Sequence, residues 1–154
     1  MAKELLENIY LFKGLPADEI HTLSRLATID KFLGGQTIFS QGDKSTALYV
    51  VKYGSVQIHH NSPHGEDIIV ATLGTGSHFG EMSFLDGKKR TGSATAVEDC
   101  EILRLDFSKL SQAFTKNPIM AAHFYKAMAL FLAGRLETTT KDLSFAREKN
   151  LKAA

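Results

Sequence analysis

Ala47-Leu48-Tyr49-Val50-Val51-Lys52-Tyr53-Gly54-Ser55-Val56-Gln57-Ile58-His59 reads as two strand-length runs separated by the turn signal Lys52-Tyr53-Gly54. The same pattern repeats outward from it. Gln36-Thr37-Ile38-Phe39 precedes it, and Asp67-Ile68-Ile69-Val70-Ala71, Ser93-Ala94-Thr95-Ala96-Val97 and Glu101-Ile102-Leu103-Arg104-Leu105 follow. Two further turn signals, Gln41-Gly42-Asp43 and Asn61-Ser62-Pro63-His64-Gly65, flank the opening hairpin about ten residues away on either side. That rhythm belongs to an antiparallel sandwich or roll and disfavours βαβ units with a parallel sheet. Ten of the 12 glycines lie between Gly34 and Gly92. The chain therefore divides into a helical start, a glycine-punctuated β middle and a helical end.

The helical start contains a short helix opened by Pro16, with Asp18 and Glu19 in its first turn, where carboxylates suit the positive end of the macrodipole. Two more helices follow the β region. The second begins at Asn117-Pro118 and has no breaker but Gly134 before about Asn150, nearly 50 Å of helix at ~1.5 Å per residue. Its stretch Ile119–Ala133 is apolar at 13 of 15 positions, interrupted by His123 and Lys126, and falls short of the ~20 needed to cross a bilayer. This is a buried helix with apolar residues on all sides, so it needs covers on two sides. The roll supplies one, and the same helix of a second copy supplies the other, giving an expected homodimer through residues 118–150. The expected organisation is one domain over 1–154, with N-terminal helices in 1–30, a mainly β roll in 31–106 and C-terminal helices in 107–150.

Composition narrows the function. With 154 residues and 44% apolar content the chain can bury a real core, so disorder is not expected as the main state. Lys plus Arg is 18 and Asp plus Glu is 17, a formal charge of +1, where a reader of DNA phosphates would carry a clear basic excess. The lone Cys100 has no partner for an intramolecular disulfide and too few thiolates around it for an iron–sulfur or Cys-rich zinc site. Glu4, Glu7 and Asn8 interrupt the N-terminal apolar residues, so no secretory signal is read and a cytoplasmic location is expected.

The chemistry concentrates in Ser77-His78-Phe79-Gly80-Glu81-Met82-Ser83-Phe84-Leu85-Asp86-Gly87-Lys88-Lys89-Arg90-Thr91-Gly92-Ser93-Ala94-Thr95-Ala96. Gly80 allows close backbone approach, and Gly80-Glu81-Met82-Ser83 can turn into a short helix whose free N–H groups attract an anion. Arg90, nine residues after Glu81, could grip a phosphate with a bidentate fork while the Glu81 carboxylate accepts from sugar hydroxyls. The competing reading is an ordinary ion pair between Glu81 and Arg90 across a hairpin.

Phe79-Gly80-Glu81-Met82-Ser83-Phe84-Leu85 followed by Arg90-Thr91-Gly92-Ser93-Ala94-Thr95-Ala96 resembles the phosphate-binding cassette of cyclic nucleotide-binding domains, above all the sensor domain of the bacterial catabolite activator superfamily. Leu11-Phe12-Lys13-Gly14-Leu15, Gly35-Gln36-Thr37-Ile38-Phe39-Ser40-Gln41-Gly42-Asp43 and Leu48-Tyr49-Val50-Val51-Lys52-Tyr53-Gly54-Ser55-Val56 extend the resemblance over roughly Leu5 to Ala146. It implies an eight-stranded antiparallel β-roll, jelly-roll-like, with N-terminal helices and a long C-terminal dimerisation helix. It also implies a regulatory sensor of cyclic AMP or cyclic GMP, without metal and without catalysis. Carried over by position, Glu81 takes the ribose 2′-hydroxyl, Arg90 the cyclic phosphate, and Gly80, Ser83 and Thr91 assist. Ile58, Val70 and Met82 would face the sugar and base, although the same residues read equally well as roll core. A threonine at the Thr91 position occurs among domains that accept cyclic GMP.

Thr138-Thr139-Thr140 is odd by physics alone, because β-branched residues are poor helix formers and three in a row call for compensation. Their hydroxyls could bond back to carbonyls one turn earlier. By resemblance, Arg135-Leu136-Glu137-Thr138-Thr139-Thr140 implies instead that Thr139 and Thr140 reach the adenine amino group, one from each subunit, which favours cyclic AMP. Activators of the superfamily carry a helix-turn-helix after the long helix, and the residues after Asn150 cannot hold one, so no DNA-binding domain and no direct DNA contact are expected. The basic residues Lys141, Arg147, Lys149 and Lys152 against Asp142 and Glu148 net +2, a solvated helix end. Output would pass to an unknown protein effector or to the oligomeric state.

Three rival readings stay open. A metal-binding roll would draw on His59, His60, His64, Glu66 and His78, but adjacent His59 and His60 point to opposite faces of a strand. A haem sensor would use His78 as axial ligand, and a ligand-free interaction scaffold would keep the roll alone. No Ser-His-Asp or Cys-His constellation is read, so no enzyme is expected.

Overall fold

The computed structural model describes residues 2–153. From the N-terminus come α1 (Ala2–Glu7), a 3-10 turn (Tyr10–Phe12) and α2 (Ala17–Leu26). Eight strands follow: β1 (Thr28–Phe32), β2 (Thr37–Phe39), β3 (Ala47–Tyr53), β4 (Val56–Asn61), β5 (Asp67–Leu73), β6 (His78–Phe79), β7 (Ser93–Ala96) and β8 (Cys100–Asp106). The short α3 (Met82–Asp86) lies between β6 and β7, and α4 (Phe107–Lys116) and α5 (Pro118–Ala153) close the chain. The strands form two four-stranded sheets of order β1-β8-β3-β6 and β2-β7-β4-β5, every pairing antiparallel. This is the expected antiparallel roll with flanking helices.

The continuous apolar run of β3 is explained by burial on both faces. Ala47, Tyr49 and Val51 point into the roll beside Val56, Phe79, Ala94, Ala96, Cys100 and Ile102. Leu48 and Val50 point the other way and, with Leu103 and Leu105 of β8, meet the helices through Leu6, Leu23, Leu110, Phe124 and Met128. One sheet therefore separates two cores, and side-chain alternation along β3 and β8 feeds both.

Two strands lie outside the runs read from the sequence. β1 is an edge strand whose Thr-Ile-Asp-Lys-Phe is mostly exposed, held by its register on β8 from Thr28↔Arg104 to Phe32↔Cys100. The roll thus begins at residue 28, three residues before the expected boundary at 31. β6 is two residues long and docks His78 and Phe79 on Val50 and Tyr49 of β3. On the same sheet, Glu101 bonds Lys52 at 2.6 Å and faces Lys31 at 3.6 Å, and these lysines hold its carboxyl below the ordinary carboxylate range.

α5 runs 36 residues, slightly past the expected end, about 54 Å of helix. Its buried residues are Met120, Phe124, Ala127 and Met128, a single stripe facing the roll's helical layer. Beyond Met128 none of its described residues is buried, and Leu130, Leu136, Leu143, Phe145 and Leu151 are exposed. Ile119 and Tyr125 are exposed as well, so within one chain the helix expected to be buried on all sides is covered along one stripe only, because the roll and its helices reach a single face of it. α2 is tied to α5 through the buried Glu19, whose carboxylate lies 2.9 Å from His123 Nδ1. No described helix is long and apolar enough to cross a membrane.

Candidate functional site

The turn from β6 into α3 is made by Gly80 at φ +79°, a left-handed conformation that favours glycine. A Cβ there would also sit 2.8 Å from Arg90 Nη1. Glycine is needed twice over, for the turn and for the guanidinium lying against it. Gly87 ends α3 in the left-handed region at φ 66°, with its N–H donating to Ser83 O at 2.9 Å.

Arg90 is fixed at both ends. Its backbone N–H donates to Asp43 O at 2.9 Å and its carbonyl accepts from Gly42 N–H at 2.8 Å, so the Gln41-Gly42-Asp43 turn sets where the side chain starts. Its Nη1 donates to Gly80 O at 3.0 Å and Nη2 to Ala47 O at 2.6 Å. The Phe39 ring lies 4.1 Å from Cζ. The guanidinium bonds thus go to carbonyls rather than to the Glu81 carboxylate, which is not the plain ion pair that spacing alone allowed. Burial lowers the Arg90 pKa, opposed by Tyr49, Glu81 and Asp43, and a guanidinium still keeps its charge.

Arg90 and Glu81 are both buried, at 5% and 7% exposure. Among the described residues Arg90 Nε, Glu81 Oε2 and His78 Nδ1 are buried polar atoms without a hydrogen-bond partner. Native interiors rarely leave such groups unmade, and three around one pocket mark a place built for a polar ligand. The pocket encloses about 720 Å³, solvent mouth included. Phe39, Ile58, Val70, Ala71 and Leu73 form its apolar wall, and His78 to Ser83 and Arg90 to Gly92 form its polar wall.

Gly80, Glu81, Met82, Ser83, Arg90, Thr91, Ile58 and Val70 all line this one pocket. Val70 and Met82 are 52% and 58% exposed, so they are pocket wall rather than roll core. Ile58 does both, packing on the inner core from its half-buried position. Thr139 and Thr140 are exposed on α5 and outside the lining of the single chain. Their hydroxyls make no back-bond among the described residues, whereas Thr22 and Thr115 donate to carbonyls one turn earlier at 3.0 and 2.9 Å. The compensation that would have explained the triple threonine locally is missing.

Arg135 lines the pocket and was not singled out from the sequence. The available signal was helical spacing, since Arg135 precedes Thr139 by one turn on the same face of α5. Its guanidinium sits 5.7 Å over the Phe131 ring. The histidines do not converge: His59 is held at 2.7 Å by Asp67 and at 2.9 Å by Thr95, and His60 is exposed. Among the described residues no three His, Cys, Asp or Glu side chains are grouped to hold a metal ion.

Comparison with known proteins identifies the family. The curated cyclic AMP receptor protein of Thermus thermophilus is 35% identical over 143 residues, covering 91% of this chain and 64% of that relative. The crystal structure of the Thermus thermophilus catabolite activator protein superposes with a TM-score of 0.75 at 34% identity, covering 88% of this chain and 62% of the other. Cyclic GMP-binding protein C of Dictyostelium discoideum is 33% identical over 124 residues, 80% of this chain but 4% of that much longer protein. The chain spans about half to two-thirds of the length of the bacterial relatives it matches. The family model for the cyclic nucleotide-binding domain matches residues 29–117, a span that runs from β1 through the cassette to the end of α4, and the chain belongs to that family.

Proposed function

We propose that the chain is a cyclic AMP-preferring sensor whose occupied pocket changes the pose of α5. The observation that carries this reading is a pair of buried, opposite charges, Arg90 and Glu81, each with an unsatisfied polar atom beside one open pocket. Two of Arg90's five N–H donors are engaged by carbonyls, leaving donor capacity for an anion, and the Glu81 carboxylate is an acceptor for a hydroxyl. A cyclic phosphate joined to a sugar carries both groups. Gly80, Ser83 and Thr91 add polar backbone and side-chain contacts, and Ile58, Val70 and Met82 offer the apolar wall for the sugar and base.

In this mechanism the phosphate orders the Gly80–Arg90 loop and the base meets Thr139 of its own chain and Thr140 of a second copy, so α5 reports occupancy. Thr139 lies one helical turn beyond Arg135, which lines the pocket, while Thr140 projects about a third of a turn away. The exposed leucines of α5 support pairing with a second copy along the helix. The output then passes to a protein effector or to the oligomeric state. Names of relatives support both nucleotides, cyclic AMP for the Thermus protein and cyclic GMP for the Dictyostelium one. The Thr91 hydroxyl favours cyclic GMP as the second reading.

Calorimetric titration of nucleotide-stripped protein with cyclic AMP and cyclic GMP tests this directly. A saturable heat with micromolar or tighter affinity is expected for cyclic AMP, at about 8 kcal/mol or more of binding free energy. Heat from neither ligand would overturn the sensor reading and leave an interaction scaffold. Thr139→Val and Thr140→Val, which remove a hydroxyl but keep the branched shape, are each expected to weaken cyclic AMP binding about three- to tenfold. Unchanged affinity in both would remove the threonines from the site.

A further inference from the structure

We infer that His78 is a positioning residue that aims the Glu81 carboxylate at the sugar and ties it to α5. The inference rests on the pocket binding a cyclic nucleotide and concerns a residue outside the cassette contacts described above. Strand alternation in β6 sends Phe79 into the roll, stacked on Tyr49 at 5.2 Å between centroids, and sends His78 to the opposite face. There the imidazole is buried, with 6% of its side chain exposed against 9% for Glu81. Nδ1 lies 3.3 Å from Glu81 Oε2, yet the two are not aligned as a hydrogen bond and neither has another partner among the described residues.

A buried carboxylate oxygen facing a buried ring nitrogen without a bond between them is a costly arrangement with a simple resolution. A small rotation of either side chain lets Nδ1–H donate to Oε2. That bond fixes the carboxylate plane and directs its remaining acceptor capacity toward a hydroxyl in the pocket. The other side of the imidazole is clamped by Phe131 of α5, edge-on at 4.3 Å between centroids, and Arg135 lies over that same phenyl ring. Glu81, His78, Phe131 and Arg135 therefore form one continuous run of contacts from the carboxylate to the long helix. Reorientation of Glu81 on meeting a sugar hydroxyl must be accommodated by the ring that α5 grips.

The test compares cyclic AMP with 2′-deoxy cyclic AMP, which lacks the hydroxyl, in calorimetric titrations of wild type, His78→Phe and His78→Asn. His78→Phe keeps an aromatic ring against Phe131 but removes Nδ1. It is expected to weaken cyclic AMP about tenfold while leaving the 2′-deoxy analogue within about twofold of wild type. His78→Asn places an amide near the Nδ1 position and is expected to restore most of the preference for the hydroxylated ligand. Equal weakening of both ligands by His78→Phe, without recovery in His78→Asn, would reduce His78 to a packing residue and overturn the proposal. Unchanged affinities in both variants would do the same. Wild-type protein that takes up neither ligand is a distinct result, since it removes the nucleotide reading of the pocket and the role of His78 with it.

Discussion

Arg90→Ala is expected to lower cyclic AMP affinity by about 100-fold or more, with the ligand-free fold retained. Truncating one partner of a buried charge contact costs ~2–5 kcal/mol, in part because the remaining charge is left unpaired. Here the charge left unpaired is the phosphate itself, which then enters beside the buried Glu81 carboxylate without the Arg90 guanidinium. The loss falls on the ligand rather than on the strands, because the backbone bonds of Arg90 to Gly42 and Asp43 survive the substitution. Arg90→Lys sharpens the test. It keeps the charge, but an ammonium cannot hold Gly80 O and Ala47 O from two fixed nitrogens while presenting further donors to a phosphate. Lysine is therefore expected to recover only part of the lost affinity. Calorimetry on both variants, with circular dichroism as the check on folding, reads the result. Affinity for Arg90→Ala within about threefold of wild type would show that the phosphate is bound elsewhere.

How much of this was legible in the sequence depended on whether the information was local. The β3 run and the glycine turns announce themselves because propensity, run length and turn chemistry agree over a dozen residues. β1 does not, since its Thr-Ile-Asp-Lys-Phe carries two charges and little burial, and it is a strand because β8 offers it a complete ladder and Lys31 and Asp30 meet Glu101 and Arg104. The two residues of β6 are too few for any periodic signal. Tertiary pairing decides both, and such pairing leaves no mark in a short window.

The site divides the same way. Gly80, Glu81 and Arg90 stand out as types and spacings, and likeness to a family gave them roles. What holds Arg90 was invisible, because one anchor, the Ala47 carbonyl, belongs to a strand 43 residues away and any residue would supply the same oxygen. Arg135 meets the pocket, and Phe131 meets His78, only because of where α5 packs. The triple threonine was legible as an anomaly, and the absence of local back-bonding among the described residues is what separates its two explanations.

Phe124→Ala is expected to destabilise the protein by ~3–5 kcal/mol, lowering the midpoint of thermal unfolding by about 10 °C. Phe124 is fully buried on α5 and its ring lies 5.8 Å from Phe12, 5.9 Å from Phe84 and 5.1 Å from Phe114. Those four rings come from the N-terminal turn, the cassette helix α3, α4 and α5, so no single element can collapse into the space an alanine leaves. The cost therefore sits near the upper end for a core truncation. Phe84 gives the cavity a second consequence, because it is the side chain through which α3 leans on α4 and α5. Loosening that contact should weaken the mechanical link between cassette and long helix while the polar groups that hold the phosphate stay in place. The expected signature is a large loss in unfolding free energy beside a change of less than about tenfold in cyclic AMP affinity, with the ligand-induced response of α5 reduced. Phe124→Leu, which refills most of the volume, is expected to return more than half of the stability and the helix response together. A variant that loses stability but keeps the full response of α5 would show that the signal bypasses the aromatic cluster and travels by the His78–Phe131 contact alone.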